Sequence, residues 1–491
     1  MSDLAIGLAA VAFLLVMILG GIPIAYSLMI VSLLGMVLLT GDVAIAGSLL
    51  SSTALEAVRN YVFVVAPLFI LMGAFISNSK VGTYLYEAAH LITRKLAGGL
   101  AIATVYANAI FAAVTGVSVA SAAVFARISF PEMMRHGYSK RFALGAVAGS
   151  SVLGMLIPPS LLLIIYGVTA QVSIGALFIA GIIPGLLLAT MYSLMIVIVG
   201  KVRPAIVGRL ANVPRELASK TLPTAVTAAA GATEREQTGI GENAAAGTTS
   251  PGQKQRNGAA GSTELSPPLD GPATRPRTAI LRFVPIALLI VGAFGGIWTG
   301  IMTPTEASAV GSLGALVIAL SFRMGRKGFL SSFHETAIST GAIMILLVSA
   351  QMYSRMLASS GLVSWVTTTI NNAPLAPSML LLVFVMLLVA LGAIMDSSSI
   401  IILTVPLMVP AVGLLGMDPV WFGIVMIIAV EIGLLTPPFG IVPFSMSAVL
   451  GDTATVEDVF AGALPYILVM ALCLLLVMSF PGLATWLPSL M

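Results

Sequence analysis

Hydrophobic and polar positions are segregated along this chain into long uncharged runs separated by short charged clusters. Residues 142–200 contain no Asp, Glu, Lys, Arg or His across 59 positions. One helical membrane crossing uses about 20 residues, so this run alone predicts two crossings. A barrel strand needs only ~10 residues, and the runs are too long for one. Residues 4–41 are uncharged for 38 positions and are interrupted at Gly20-Gly21-Ile22-Pro23, which predicts two helices. Further spans are predicted at 61–77 (Tyr61 to Ser77), 281–299, 307–322, 336–357, 419–450 and 459–487. The start, Met1-Ser2-Asp3-Leu4, lacks the cationic region and cleavage site of a secretory signal. The first apolar run therefore reads as a retained span.

Composition agrees with that pattern: 58% of the residues are hydrophobic and 9% are charged, against roughly 45–50% and about 25% in soluble domains. An integral membrane protein is implied; a soluble enzyme, a disordered chain and a disulfide scaffold are excluded. The single cysteine, Cys473, sits in the apolar run 471–477 and reads as a small buried or lipid-facing hydrophobe. Basic residues flank the spans and form no stripe, so nucleic acid is not an expected partner. One segment differs. Residues 201–280 hold 10 Lys/Arg and 6 Asp/Glu, and 39 of the 60 residues in 221–280 are Ala, Gly, Thr, Ser or Pro. Such a stretch cannot bury enough apolar surface to offset its ordering entropy. It predicts a flexible cytoplasmic loop between two membrane repeats, 1–200 and 281–491.

Basic clusters at 80–95 (Lys80, Arg94, Lys95) and 127–141 (Arg127, Arg135, Lys140, Arg141) flank the uncharged stretch 98–126. The positive-inside rule places both clusters in the cytoplasm. The segment between them, about 98–130, must then enter and return as a re-entrant hairpin with its tip near Thr115-Gly116-Val117-Ser118. A second hairpin is predicted at about 377–409, entered from outside, with Asp396-Ser397-Ser398-Ser399 at its tip. Residues 356–417 carry one charge, Asp396, and no basic residue. The cytoplasmic turn before the last span carries Asp452, Glu457 and Asp458 without a basic residue. His90, His136 and His334 lie in charged flanks and read as cytoplasmic surface.

The halves repeat at an offset of 279 residues: Gly35 with Gly314, Ser118 with Ser397, Pro131 with Pro410, Gly137 with Gly416, Gly154 with Gly433, and Pro158-Pro159 with Pro437-Pro438. Each half makes five crossings plus a hairpin. Five is odd, so the halves lie in opposite orientations. About ten transmembrane helices and two hairpins form an all-α inverted repeat, with broken helices at about 142–170 and 419–450.

Inverted repeats with interrupted helices point to the binding site of a secondary transporter. Each Pro-Pro pair removes two backbone donors and forces the residue before it out of helical geometry. The carbonyls thereby freed suit a cation with a preference for oxygen, such as Na⁺. Half-helix N-termini at the breaks and tips suit an anion. Candidate anion-binding residues are Ser118, Ser121, Pro158, Asp396, Ser397, Ser398 and Pro437; Ser399 and Thr436 add hydroxyls. Asp396 is either a functional intramembrane acid or a helix cap at the tip. Glu431, one turn before the second break, is either a coupling acid or the partner of a basic residue. No phosphate loop, metal-ligand spacing or nucleophile–base pair stands out, so an enzyme or nucleotide-driven pump is not indicated.

These residues resemble the large membrane subunit of the tripartite ATP-independent periplasmic (TRAP) transporters. The resemblance rests on Phe130-Pro-Glu-Met-Met-Arg-His-Gly-Tyr138, Leu156-Ile-Pro-Pro-Ser160 and the stretch Val172 to Gly185 in the first half. In the second half it rests on Met395-Asp-Ser-Ser-Ser-Ile-Ile-Ile-Leu-Thr-Val-Pro406, Gly416-Met-Asp-Pro-Val-Trp-Phe-Gly423 and Glu431-Ile-Gly-Leu-Leu-Thr-Pro-Pro-Phe-Gly440. It implies an elevator-type, Na⁺-coupled importer of organic anions in the bacterial inner membrane. Its implied partners are a small four-helix membrane subunit and a periplasmic substrate-binding protein. By motif, one Na⁺ would be held at Ser118, Gly154, Ile157 and Pro159, and another at Gly392, Gly433, Thr436 and Phe439. The tip Ala-Val-Thr-Gly-Val-Ser departs from the more Gly/Ser-rich family pattern, and the loop is longer than the family's. A stand-alone Na⁺/organic-anion symporter and a channel are the alternative readings.

Overall fold

The computed structural model describes residues 2–59, 64–208, 276–372 and 376–491. The bulk of the 201–280 segment, residues 209–275, lies outside the described residues, as does the predicted helix start at 61. Among the described residues the fold is helical throughout, and the one β-bridge pairs Tyr138 with Val207. Seven of these helices are long and apolar enough to cross a membrane, or eight with one bent pair, and five apolar helices are shorter. This is a multi-pass membrane protein.

The first pair, α1 (Asp3–Leu19) and α2 (Ile24–Thr40), parts at the Gly-Gly-Ile-Pro break. Gly21 takes φ 82°, a left-handed conformation that a side chain would resist, and Pro23 caps α2 without an N–H to leave bare. The helix expected to end at Ser77 is α4 (Val65–Ser77), and an unexpected α3 (Val43–Arg59) precedes it. The basic 80–95 region is also helical, as α5 (Val81–Thr93), bent 71° from α4. Both missed helices mix apolar with polar positions on a helical period, so a search for uncharged runs passes over them.

The first hairpin is α6 (Gly99–Thr115) and α7 (Ser118–Arg135), joined at Gly116-Val117. The broken helix follows as α8 (Lys140–Ser151), the short α9 (Leu153–Leu156) and α10 (Leu161–Ala170). Ser139 and Ser160 cap α8 and α10 by accepting the Phe142 and Leu163 N–H groups. After a turn at Gln171, α11 runs Ile174–Val202.

The second half begins with α12 (Pro276–Trp298), five residues earlier than expected, and α13 (Pro304–Ser321), opened by a capping box between Thr303 and Glu306. The span expected at 336–357 is the 34-residue α14 (Arg326–Ser359), which takes in the charged residues before it. An unexpected α15 (Leu362–Asn372) follows. The second hairpin is α16 (Pro377–Gly392) and α17 (Ser397–Leu414); the second broken helix is α18 (Pro419–Leu435) and α19 (Ile441–Leu450). The last span, α20 (Val456–Ser479), stops short of the expected 487 because Pro481 interrupts it; a single turn, α21 (Gly482–Thr485), follows.

The hairpins, broken helices, α11 and α20 interlock into one core, against which α4 packs. Lipid supplies no hydrophobic drive between helices, so small residues that let backbones approach carry the packing. An ideal Cβ on Gly149 would fall 2.5 Å from Tyr466 Cβ, and Gly145 and Gly462 bring the α8 and α20 backbones together. Lys140 and Arg141 at the head of α8 pair with Asp458 at 2.7 and 3.1 Å. Tyr166 on α10 donates to Pro419 O at 2.5 Å, and Trp421 Nε1 donates to Val477 O at 2.9 Å. Lys140, Arg141 and Tyr166 thus clamp the first broken helix to second-half elements, while the Trp421 bond ties α18 to α20 within the second half.

Candidate functional site

Each break meets a hairpin tip. At the first, Ile157 leaves helical geometry (φ −81°, ψ 122°), as a residue before proline must. Gly116 turns the hairpin at φ 67°, and a Cβ there would lie 3.0 Å from Pro159 O. Gly154 abuts the helix opposite: a Cβ on it would fall 2.9 Å from the Ala112 carbonyl carbon. At the second break Thr436 is extended in the same way (φ −95°, ψ 137°). Gly433 faces Gly392 so closely that a Cβ would lie 2.5 Å from the Gly392 Cα and 2.6 Å from Val389 O. Phe439 N donates to Ala393 O at 3.2 Å, tying this break to its hairpin.

The sequence-derived residues divide accordingly. Gly154, Ile157, Pro158 and Pro159 gather at the first junction, and Gly392, Gly433, Thr436, Pro437 and Phe439 at the second. The residue that faces Gly154 as Gly392 faces Gly433 is Ala112, which sequence reasoning missed because alanine carries no motif signal. Ser118 is placed instead at the head of α7, buried. Ser121 is also buried and donates back to Ser118 O at 3.1 Å. Thr436 Oγ1 donates to Ile432 O at 2.7 Å.

At the second tip Asp396 is exposed and caps α17: its carboxylate accepts the Ser399 N–H at 3.0 Å and the Ser399 hydroxyl. Ser398 is half-buried, whereas Ser397 is buried and donates to Glu431 Oε1 at 3.2 Å. Glu431 pairs with no basic residue among the described ones. The two junctions differ in cover. Pro158 and Pro159 are buried, whereas Pro437, Pro438 and Phe439 are exposed.

A separate cavity of about 590 Å³ opens beside the α10–α11 turn, lined by Thr53, Glu56, Gln171, Ser173, Thr303 and Gln351 among others. Gln171 holds φ 57°, a conformation few non-glycine residues adopt.

Residues 11–483 match the family described as "Tripartite ATP-independent periplasmic transporter, DctM component". The chain belongs to this family. It is a TRAP transporter large permease subunit and not an enzyme. The C4-dicarboxylate TRAP transporter large permease protein DctM of Pseudomonas aeruginosa is 30% identical over 440 residues, covering 88% of each chain. The sialic acid TRAP transporter large permease protein SiaM of Vibrio cholerae is 28% identical, covering 96% of this chain and 95% of its own. Among solved structures, the YdaH transporter of Alcanivorax borkumensis aligns with a TM-score of 0.55 at 12% identity, over 88% of this chain and 87% of that one. That likeness bears on the fold alone, an all-α membrane transporter fold.

Proposed function

We propose that this permease imports an organic anion, a dicarboxylate, a sugar acid or a similar compound, across the bacterial inner membrane, coupled to Na⁺. The observation that carries the reading is the pair of hairpin–break junctions, each built on a close backbone approach: Gly154 on Ala112, and Gly433 on Gly392. Such contacts leave no room for side chains and present main-chain oxygens, Val389 O and Val430 O among them. Oxygen ligands of this kind suit Na⁺, with Thr436 Oγ1 available as a further oxygen. Ser118, Gly154, Ile157 and Pro159 would serve one ion; Gly392, Gly433, Thr436 and Phe439 the other.

The hairpin stretches 98–126 and 356–417 contain no Lys or Arg. The substrate carboxylate would therefore be met by the heads of α7 and α17, whose N–H groups and Ser118, Ser121, Ser397 and Ser398 hydroxyls favour an anion. The hairpins and broken helices would move as one unit past the remaining helices, with Na⁺ favouring the substrate-competent state by differential affinity. The small four-helix subunit and a periplasmic binding protein would complete the system. The dicarboxylate and sialic acid relatives support an acidic substrate. The test is uptake of a labelled organic-acid panel into proteoliposomes under an inward Na⁺ gradient, with and without both partners. Uptake that needs Na⁺ and both partners is expected. Uptake by this chain alone would make it a stand-alone symporter, flux that does not saturate would make it a channel, and uptake indifferent to Na⁺ would refute the coupling.

A further inference from the structure

One side chain reaches both hairpins. Glu431 lies inside α18, only 2% exposed, two residues before Gly433 of the second junction. Its Oε1 accepts the Ser397 hydroxyl at 3.2 Å, and Ser397 is the first residue of α17 in the second hairpin. Ser118, the first residue of α7 in the first hairpin, places its hydroxyl against the same carboxyl. That contact falls short of a proper hydrogen bond, so Ser118 Oγ and Glu431 Oε2 are both buried and unpartnered.

Buried polar atoms normally find partners, and here two orphans from different repeats sit side by side. The N-terminal ends of α7 and α17 both carry partial positive charge, which suits an oxygen-rich group held between them. The second junction lies within one helical turn of the same residue. A line of contacts therefore runs from Ser118 to the Glu431 carboxyl, on to Ser397, and along α18 to Gly433 and Thr436.

We propose that Glu431 is a positioning residue that couples the two junctions, so that occupation of one prepares the other. The proposal rests on the Na⁺ reading above. Coupling of this kind is reciprocal and appears as cooperative dependence of uptake on Na⁺ concentration.

The test is a Na⁺ titration of uptake by the full permease with both partners in proteoliposomes, for wild type, E431Q and E431L. Glutamine keeps an acceptor for Ser397 and supplies a donor for Ser118; leucine keeps similar bulk and does neither. Wild type is expected to give a Hill coefficient approaching about two, the number of junctions, and E431L about one. E431Q should stay with the wild type. Elution volume and melting temperature establish that each variant is folded. If E431L does not fold, S397A is read instead, because it removes the hydrogen bond to Glu431 and no residue assigned to either ion, and it should lower the coefficient.

Retention of the wild-type coefficient in folded E431L, or in S397A, overturns the proposal. So does a fall in E431Q equal to that in E431L, since charge rather than the bridge would then be at work. Wild-type uptake indifferent to Na⁺ is a different result, which removes the underlying reading and not this link alone.

Discussion

Replacing Gly433 with alanine tests the second junction most directly. The added Cβ would stand 2.5 Å from Gly392 Cα, 2.6 Å from Val389 O and 2.8 Å from the Gly392 carbonyl carbon. Non-bonded carbon atoms settle near 3.5–4.0 Å, so α16 and α18 must part by on the order of 1 Å. All three obstacles are backbone, and no rotamer change relieves them. Overpacking of this kind costs typically 1–3 kcal/mol; with backbone on both sides the upper half of that range applies, ~2–3 kcal/mol. If the junction holds a cation, the loss appears in its affinity, and at about 1.4 kcal/mol per tenfold the half-saturating Na⁺ concentration rises roughly 30- to 150-fold. Gly413→Ala in α17 is the control, because nothing lies within 4 Å of the Cβ it would add. The assay is Na⁺-dependent uptake in proteoliposomes, with melting temperature read in parallel. A Gly433→Ala protein within about twofold of the Gly413→Ala control in Na⁺ dependence would refute the argument that this close approach builds the site.

The remaining predictions use other contacts. Thr436→Val removes the hydroxyl and keeps the shape; an uptake assay should show roughly tenfold weaker Na⁺ dependence, from the ~1–2 kcal/mol such a group contributes. Gly154→Ala should abolish Na⁺-driven uptake by driving a Cβ into Ala112, and adding Ala112→Gly should restore only part of it, because the Ala112 Cα and carbonyl carbon still lie 2.9 Å from the new Cβ; full rescue by the second change, or none, would refute this account of the crossing. Tyr166→Phe strips Pro419 O of its 2.5 Å donor and should cost about 1 kcal/mol of stability. Thermal denaturation should register that loss, while the half-saturating Na⁺ concentration stays put because the bond lies away from both junctions.

What the sequence made legible follows from what leaves a mark on residue types. Pro158-Pro159 and Pro437-Pro438 announce broken helices because proline removes donors regardless of surroundings. The glycine turns at Gly21 and Gly116 are equally visible, since a positive φ narrows the choice of residue. The helices α3, α5 and α15 were not legible as spans because serines, threonines and charges along them mask the apolar face. The partner of Gly154 was not legible either. Ala112 is one of many alanines, and its role depends on where α6 crosses α9, which no local pattern encodes. Asp396 shows the opposite limit. A lone acid in an uncharged stretch draws attention, yet the carboxylate caps the Ser399 N–H, while the acid that touches both repeats is Glu431, whose neighbours in sequence gave no hint of Ser118.

The two junctions repeat a backbone plan without repeating its chemistry. Gly433 meets glycine where Gly154 meets alanine, so the second crossing runs backbone on backbone while the first packs against a methyl group. Thr436 stands where the first break has Ile157, which puts a hydroxyl at one break and none at the other. Ser160 caps α10 through its hydroxyl, whereas Gly440 opens α19 with no side-chain cap. The first Pro-Pro pair is enclosed, and the second ends in Phe439 with 61% of its surface open. Symmetry of the chain therefore does not make the sites equivalent. The enclosed first junction has backbone oxygens to offer, while the second adds the Thr436 hydroxyl and an open side. On the Na⁺ reading proposed above, an ion would meet the second junction with less to displace, and Glu431, sharing α18 with Gly433, would carry that event to the enclosed one.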